Sequence, residues 1–82
     1  MKWNGDAEEA LSRLLEGLDS HSRSRAEAQA RLKIEERARR ETIEEIDSRL
    51  VLSTLAPGTP REDQERVRKV IRSLGMRPEE FF

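Results

Sequence analysis

The stretch LDSHSRSRAEAQARLKIEERARRETIEEIDSRLVLSTLA, residues 18–56, decides the fold because it contains neither glycine nor proline over 39 residues. Those two residues interrupt helices most strongly, and good helix formers such as alanine, arginine, glutamate and leucine dominate the stretch. One helix over most of it would be about 45 Å long. A compact chain of 82 residues is only about 24 Å across. We therefore expect the segment either to fold back on itself or to project and bind a partner.

The composition describes a small and highly charged chain. Only 34% of the residues are apolar and 40% are charged, with 16 basic and 17 acidic residues and a net charge of −1. A chain of this length is expected to form a single domain, residues 1–82, with a small core and marginal stability. An oligomer or a larger protein partner would relieve that shortage of core, whereas the near-neutral charge does not favour nucleic acid.

Three absences narrow the class of protein further. There is no cysteine, which excludes disulfides and thiolate chemistry. The longest apolar run, residues 50–52, is far too short to cross a membrane. Residues 1–5 lack the apolar core of a signal peptide. The sequence thus predicts a cytoplasmic protein without a membrane segment.

Two capping patterns predict where the first helices begin. Asp6 is followed three residues later by glutamate, a pair that can satisfy free amides at a helix start. Apolar residues then recur at spacings of three and four, which predicts an amphipathic helix over about 7–18. Ser24 is also followed three residues later by glutamate and predicts a long central helix over about 24–54.

Thr42 leaves two alternatives open for this central helix. It too precedes a glutamate by three residues, and a stronger apolar stripe follows it. The segment is therefore either one continuous helix or a pair broken near Thr42. The lack of glycine and proline favours continuity.

The sequence Ala-Pro-Gly-Thr-Pro at residues 56–60 ends the central segment. Its threonine cap and following proline predict a helix over about 60–74, and Gly75 supplies the left-handed residue that ends many helices. A short turn over 78–82 follows. The predicted fold is therefore all-α, a small helical domain of three to four helices with a long central helix, whose short connections favour antiparallel neighbours.

The apolar residues on the helix stripes are expected to form the core. They are Leu11, Leu14, Leu15, Leu18, Ile43, Ile46, Leu50, Val67, Val70, Ile71 and Leu74.

Little in the sequence indicates catalysis. The only histidine, His21, lies near Asp19 in a predicted loop without a nucleophile pattern, which favours an exposed or capping role over a general base. Carboxylates crowd residues 35–47, but helical metal sites built from carboxylates use a Glu-x-x-His pair, and none occurs. We expect a protein that is not an enzyme and has no metal or other cofactor.

A basic set on the central helix supports an alternative function. Arg31, Lys33, Arg37 and Arg40 could contact a phosphate backbone. No aromatic side chain is interleaved to stack on bases, and neighbouring glutamates dilute the charge. Nucleic-acid binding is therefore disfavoured and stands as the alternative to protein binding.

Apolar side chains that a partner could cover lead to the preferred function. They are Trp3, Ile43, Ile46, Leu50, Phe81 and Phe82. Burying a phenylalanine ring contributes roughly 1.5–3 kcal/mol, so the two phenylalanines either close the chain's own core or anchor in a pocket of a partner. The preferred function is a protein–protein interaction module, a small subunit or adaptor that binds a larger protein or forms a homo-oligomer.

Two segments carry a resemblance to a known family. They read Trp3-x-x-x-Ala7-x-x-x-Leu11-x-x-Leu14 and Arg31-x-Lys33-Ile34-Glu35-x-x-Ala38-Arg39-x-x-x-Ile43-x-x-Ile46. Together they resemble the small helical domain at the C-terminus of the B subunit of light-independent protochlorophyllide reductase, which also occurs in small stand-alone proteins. The resemblance implies a docking module beside a nitrogenase-like or tetrapyrrole-related enzyme.

The resemblance also implies roles for single residues. It makes Ala7, Leu11, Ile34, Ala38, Ile43 and Ile46 packing positions and places Glu35 in a helical motif. The family's Pro-Phe-Phe segment after the first helix is absent here, and Thr42 stands where the family has glycine. The parent enzyme carries an iron–sulfur cluster, for which this chain has no cysteine ligand.

Overall fold

A computed structural model describes all residues, 1–82, as four α-helices with one small pair of strands. The helices are α1 (Gly5–Leu14), α2 (Ser20–Arg40), α3 (Ser48–Leu55) and α4 (Gln64–Ser73). The strands β1 (Lys2–Trp3) and β2 (Glu45–Ile46) pair in parallel, with Lys2 opposite Glu45 and Trp3 opposite Ile46. Short 3-10 turns occupy Ala56–Gly58, Arg61–Asp63 and Pro78–Glu80. The predicted all-α class is confirmed.

The continuous central helix favoured over 24–54 is wrong, because α2 ends two residues before Thr42. Thr42 has a left-handed backbone with φ of 54°. The backbone N–H of Ile43 donates to the carbonyl of Ala38 at 2.8 Å, and that of Thr42 donates to the carbonyl of Arg39 at 3.3 Å. These two bonds form a Schellman motif, which satisfies free carbonyls at the end of a helix. The break near Thr42 is the alternative that occurs.

Asp47, and not Thr42, begins the next helix. Its carboxylate accepts the backbone N–H of Leu50 at 2.8 Å. The carboxylate of Asp6, on α1, accepts the backbone N–H of Ser48 at 3.0 Å, so two acids occupy the start of α3. The chain between the two helices is extended where it pairs with β1. A two-residue strand carries no readable periodicity, so the sequence does not predict this pairing.

The predicted bounds of the first two helices also need correction. α1 ends four residues short of the predicted 7–18, and Leu18 lies in the turn after it. α2 begins before the predicted Ser24, because the side chain of Asp19 accepts the backbone N–H of Ser22 at 2.9 Å and caps the helix there. A local acid earlier in the sequence therefore supplies the cap.

The predicted helix over 60–74 begins as a 3-10 turn and becomes α-helical only at Gln64. Gly75 has φ of 81° and ends α4, as predicted. The backbone N–H of Met76 donates to the carbonyl of Ile71 at 3.2 Å, which repeats the cap found at the end of α2. The turn predicted within 78–82 is the one at Pro78–Glu80.

The core is built around α3, which packs against α1 and α2, while α4 packs against α1. Fifteen hydrophobic side chains are buried, and no polar or charged side chain is. They are Ala7, Ala10, Leu11, Leu14, Leu15, Ile34, Ala38, Ile46, Leu50, Val51, Leu52, Ala56, Val67, Ile71 and Phe81. The long central segment therefore folds back on itself, and the body measures 32 × 30 × 21 Å.

Most of the predicted core residues are buried, and four of them are not. Ile43, Val70 and Leu74 are half-buried, and Leu18 is 42% exposed because it lies beyond the end of α1. Val51, Leu52 and Ala56 are buried although the predicted core did not include them. α3 lies between other elements and buries more than one side, which an amphipathic pattern cannot express.

Candidate partner-binding surface

Three of the predicted partner-binding residues belong to the chain's own core. Ile46, Leu50 and Phe81 are 0%, 7% and 6% exposed. A side chain buried this far cannot contact a partner while the chain stays folded, so these three residues are structural. Phe81 closes the core, which is one of the two alternatives for the phenylalanine pair. Phe82 is 41% exposed, with the guanidinium of Arg68 at 5.0 Å from its ring centre.

Ile43, another of the predicted partner-binding residues, is half-buried beside the strand pair. It lies with Met1, Lys2 and Glu44 around an open depression of about 610 Å³. It also borders a second depression that reaches towards Phe81. Ile43 thus remains accessible at one edge, unlike Ile46.

Trp3 is held by two side chains of α2. Its indole Nε1 donates to the Oε2 of Glu35 at 2.8 Å. The guanidinium carbon of Arg31 lies 4.5 Å from the centre of the indole ring, a cation–π contact. The indole N–H and the indole ring of Trp3 therefore both have partners within the chain. Trp3 ties β1 to α2.

Arg31 also joins α2 to α1. It forms ion pairs with Glu8 on α1 and with Glu27 one turn earlier on α2. The hydrogen bonds from Arg31 lower the pKa of Glu8 below its usual value. The hydrogen bonds to Glu8 and Glu27 raise the pKa of Arg31 above its usual value. The charge of Arg31 is thus balanced by these carboxylates.

Arg37 has a comparable structural role between α2 and α3. Its Nε donates to Glu41 at 2.8 Å, and its Nη1 donates to the hydroxyls of Ser53 and Thr54 at 2.9 and 3.0 Å. Two of the four residues predicted for the nucleic-acid alternative, Arg31 and Arg37, are therefore engaged inside the fold. The other two, Lys33 and Arg40, are exposed.

Lys33 and Arg40 belong to a larger exposed surface that we call the outward face of α2. It comprises every exposed side chain between residues 25 and 40, namely Arg25, Ala28, Gln29, Leu32, Lys33, Glu36, Arg39 and Arg40. The opposite side of the helix buries only Ile34 and Ala38 against the core. A helix of 21 residues thus commits two residues to the core and eight to this surface.

The outward face is positively charged. Arg25, Lys33, Arg39 and Arg40 form no ion pair with any carboxylate of the chain. Glu36 is the only acid among them, so four positive charges and one negative charge give the face +3. Since the whole chain carries −1, the remainder carries −4. The outward face is therefore net positive, whereas the rest of the chain is net negative.

An apolar side chain lies at the centre of this charged surface. Leu32 is 64% exposed, more than any other large hydrophobic side chain of the protein. Arg25 lies seven residues before it and Arg39 seven residues after it, about 10 Å away on either side. Two helical turns are close to seven residues, so these three side chains lie along one line of α2.

The remaining candidate features are explained by the fold itself. An open cleft of about 600 Å³ lies beside the start of α3, but its two aspartates, Asp6 and Asp47, cap that helix. His21 is exposed, and no group of three histidine, cysteine or acidic side chains could hold a metal ion. No helix has both the length and the apolar character needed to span a bilayer.

Comparison of the chain with models of protein families, with curated proteins and with solved structures finds no match. The resemblance to the reductase domain therefore stays a prediction.

Proposed function

We propose that the chain is a small non-enzymatic interaction module that binds an acid-bearing surface of a larger protein through the outward face of α2. The observation that carries the proposal is Leu32, 64% exposed at the centre of four unpaired cations. An apolar contact surrounded by charges is the usual arrangement of a protein interface, with the charges at the rim steering association.

The nucleic-acid alternative has less support. A phosphate backbone would pair with the cations but leave Leu32 without an apolar contact. Glu36 lies among those cations and would repel phosphate. Single-stranded nucleic acid is bound by stacking on aromatic side chains, and the outward face contains none.

A symmetric homodimer through this face is also disfavoured. A two-fold axis brings the same patch of two copies together. The outward face would then place a net charge of +3, which already includes Glu36, against +3. We therefore propose a different protein as the partner, with the chain as a subunit or adaptor.

The resemblance to the reductase domain suggests which complex to test first. It implies a docking position beside a nitrogenase-like or tetrapyrrole-related enzyme. We propose the catalytic subunits of such an enzyme from the same source as the first partners to purify and assay.

The test compares two charge-reversal variants with equal changes in net charge. Arg25→Glu with Arg39→Glu alters the outward face, and Lys69→Glu with Arg72→Glu alters exposed, unpaired cations of α4. Affinity for the purified partner is measured by isothermal titration calorimetry, after far-UV circular dichroism shows that both variants are folded.

We expect the α2 variant to lose at least about tenfold in affinity, because two attractive charge pairs become repulsive, and the α4 variant to be unchanged. Leu32→Ser should weaken binding as well. Partner binding that survives both the α2 reversal and Leu32→Ser contradicts the proposal. Tight binding of a duplex DNA that only the α2 reversal abolishes would favour the nucleic-acid alternative instead.

A further inference from the structure

The spacing of charges on the outward face specifies the shape of its partner. We infer that this face binds an acidic amphipathic helix whose apolar centre packs on Leu32 and Ala28, an inference that rests on the proposed function. The partner helix has acidic residues about seven positions before and after its apolar centre, opposite Arg25 and Arg39.

The distances along α2 set the spacing that a partner must match. Arg25 and Arg39 lie about 10 Å on either side of Leu32, and both are on the same line of the helix. A second helix that packs at a shallow angle stays in contact over this whole length of about 20 Å. Its own seven-residue spacing then places carboxylates opposite both arginines while one apolar side chain meets Leu32.

An extended partner segment does not fit the same spacing. A strand advances about 3.3 Å per residue, so 10 Å corresponds to about three residues. Successive strand side chains alternate between opposite faces, and a residue three positions away points away from the contact. An extended segment therefore matches an apolar centre and both acids to this line of side chains less closely than a helix does.

The small side chain next to Leu32 also favours a helix. Ala28 lies one turn before Leu32 and is exposed. Its small side chain leaves a gap in the helix surface beside the projecting side chain of Leu32. Packing between helices inserts side chains of one helix into such gaps of the other. A leucine or methionine of the partner can occupy the space above Ala28 and contact Leu32 from the side.

A second copy of this chain does not supply such a helix. Its exposed large hydrophobic residues are Met1, Leu18, Leu32 and Phe82. None of them has acidic residues seven positions away on both sides. The required pattern must therefore come from another protein.

The test uses a synthetic helical peptide as the probe. It contains about 20 residues, with a central leucine and glutamates seven positions on either side, on a background of alanine and glutamine. A matched peptide has lysine in place of those glutamates. Binding of each fluorescently labelled peptide to the full chain is measured by anisotropy at low and at high salt.

We expect the acidic peptide to bind and the lysine peptide not to bind. The affinity should fall at high salt, because the charged groups are exposed and screened. It should fall about tenfold in Leu32→Ser and in the double variant Arg25→Glu, Arg39→Glu. Leu18→Ser, which removes another exposed leucine outside the outward face, should bind the acidic peptide like the unaltered chain.

Absence of binding at about 1 mM peptide, or binding that neither variant weakens, overturns this inference. Tighter binding of a duplex DNA of similar length through the same residues also overturns it. If the peptide fails while capture of the natural partner still depends on the outward face, only the helical partner is wrong. If both fail, the proposed function is wrong as well.

Discussion

Trp3 and Glu35, 32 residues apart in sequence, are joined by a hydrogen bond of 2.8 Å from the indole Nε1 to a carboxylate oxygen. Arg31, one turn earlier on α2, covers the ring of the same indole. β1 has only two residues, and a strand pair this short is weak by itself. The side-chain contacts of Trp3 therefore hold β1 in place beside β2.

Removing the acceptor of the indole should release this strand. We expect Glu35→Ala to lower the free energy of unfolding by about 1–2 kcal/mol, because a hydrogen bond to a charged group contributes about 1.5–3 kcal/mol and this one is only partly buried. Trp3 is the only tryptophan, so its emission reports the change directly and should shift to the red. Urea unfolding followed by tryptophan fluorescence measures both effects.

Glu36→Ala is the matched control for this experiment. Glu36 is the next residue on α2, is exposed and forms no ion pair. Its replacement should change stability by less than about 0.5 kcal/mol and leave the emission unaltered. Equal effects of the two substitutions would show that the contact between Trp3 and Glu35 does not stabilise the fold.

Thr42 and Gly75 offer a second matched pair, because they occupy the same position in two helix caps. Their φ angles are 54° and 81°. A left-handed conformation costs a residue with a side chain about 1–2 kcal/mol relative to glycine. Thr42→Gly should therefore stabilise the chain by about 0.5–1 kcal/mol. This gain is smaller than the full strain energy because glycine also raises the conformational entropy of the unfolded chain.

Gly75→Ala should act in the opposite direction and destabilise the chain by about 1 kcal/mol. Apart from Gly75 and its two chain neighbours, no residue has an atom within 4 Å of the position that its Cβ would take, so the effect reports backbone strain and not a clash. Thermal unfolding monitored by far-UV circular dichroism compares the two variants with the unaltered chain. A destabilising Thr42→Gly would contradict the assigned cap.

The same two residues show how much of the fold is readable from the sequence. Gly75 indicates the end of α4 in the sequence, because glycine readily adopts the left-handed conformation that ends many helices. Thr42 carries no such signal, so the end of α2 is hidden and a continuous helix is the natural expectation. The spacing of apolar residues predicts the all-α class and most of the core. It cannot show whether Ile46 and Phe81 are covered by this chain or by a partner.

The candidate site was readable only in part for a similar reason. The density of basic residues draws attention to Arg31 and Arg37, but their carboxylate and hydroxyl partners come partly from α1 and α3, which only the tertiary structure brings close. The line of Arg25, Leu32 and Arg39 is visible in the sequence as a seven-residue spacing. Grouping the basic residues by density instead of by helical position misses it.

The carboxylates of Asp6 and Glu8 should make the fold sensitive to acid. The backbone N–H of Ser48 holds the pKa of Asp6 below its usual value of 3.8. Hydrogen bonding to Arg31 holds the pKa of Glu8 below its usual value of 4.5. Because the pKa values are lower in the folded chain than in the unfolded chain, the stabilisation is complete above the unfolded values and disappears as pH falls through the folded values.

We therefore expect the contribution of Asp6 and Glu8 to the free energy of unfolding to be nearly constant between about pH 5 and 7. This contribution should fall below about pH 4. The double variant Asp6→Asn, Glu8→Gln should show a shallower fall, because it has lost both ionised groups. Glu62→Gln, which removes an exposed carboxylate without an ion pair, is the control. Urea titrations across the pH range measure the slopes, and identical slopes for all three chains would contradict the prediction.

Substitutions of Ile46 distinguish an effect on stability from an effect on partner binding. It is 0% exposed, so Ile46→Val should cost about 0.5–1.5 kcal/mol and Ile46→Ala about 2–4 kcal/mol. A small domain has roughly 5 kcal/mol of stability, so only the valine variant is expected to stay well folded. Substitution of the half-buried Ile43 by alanine should be milder than that of Ile46.

The partner affinity of Ile46→Val should equal that of the unaltered chain once circular dichroism shows that both are folded, because the Ile46 side chain is fully buried in the core. Leu32→Ser, in contrast, should keep the stability and lose the affinity, since Leu32 is exposed and its serine variant buries no polar group. Calorimetric titration of both variants with the same partner distinguishes the two roles. A folded Ile46→Val chain that binds about tenfold more weakly would place the partner surface at the strand pair instead of on α2.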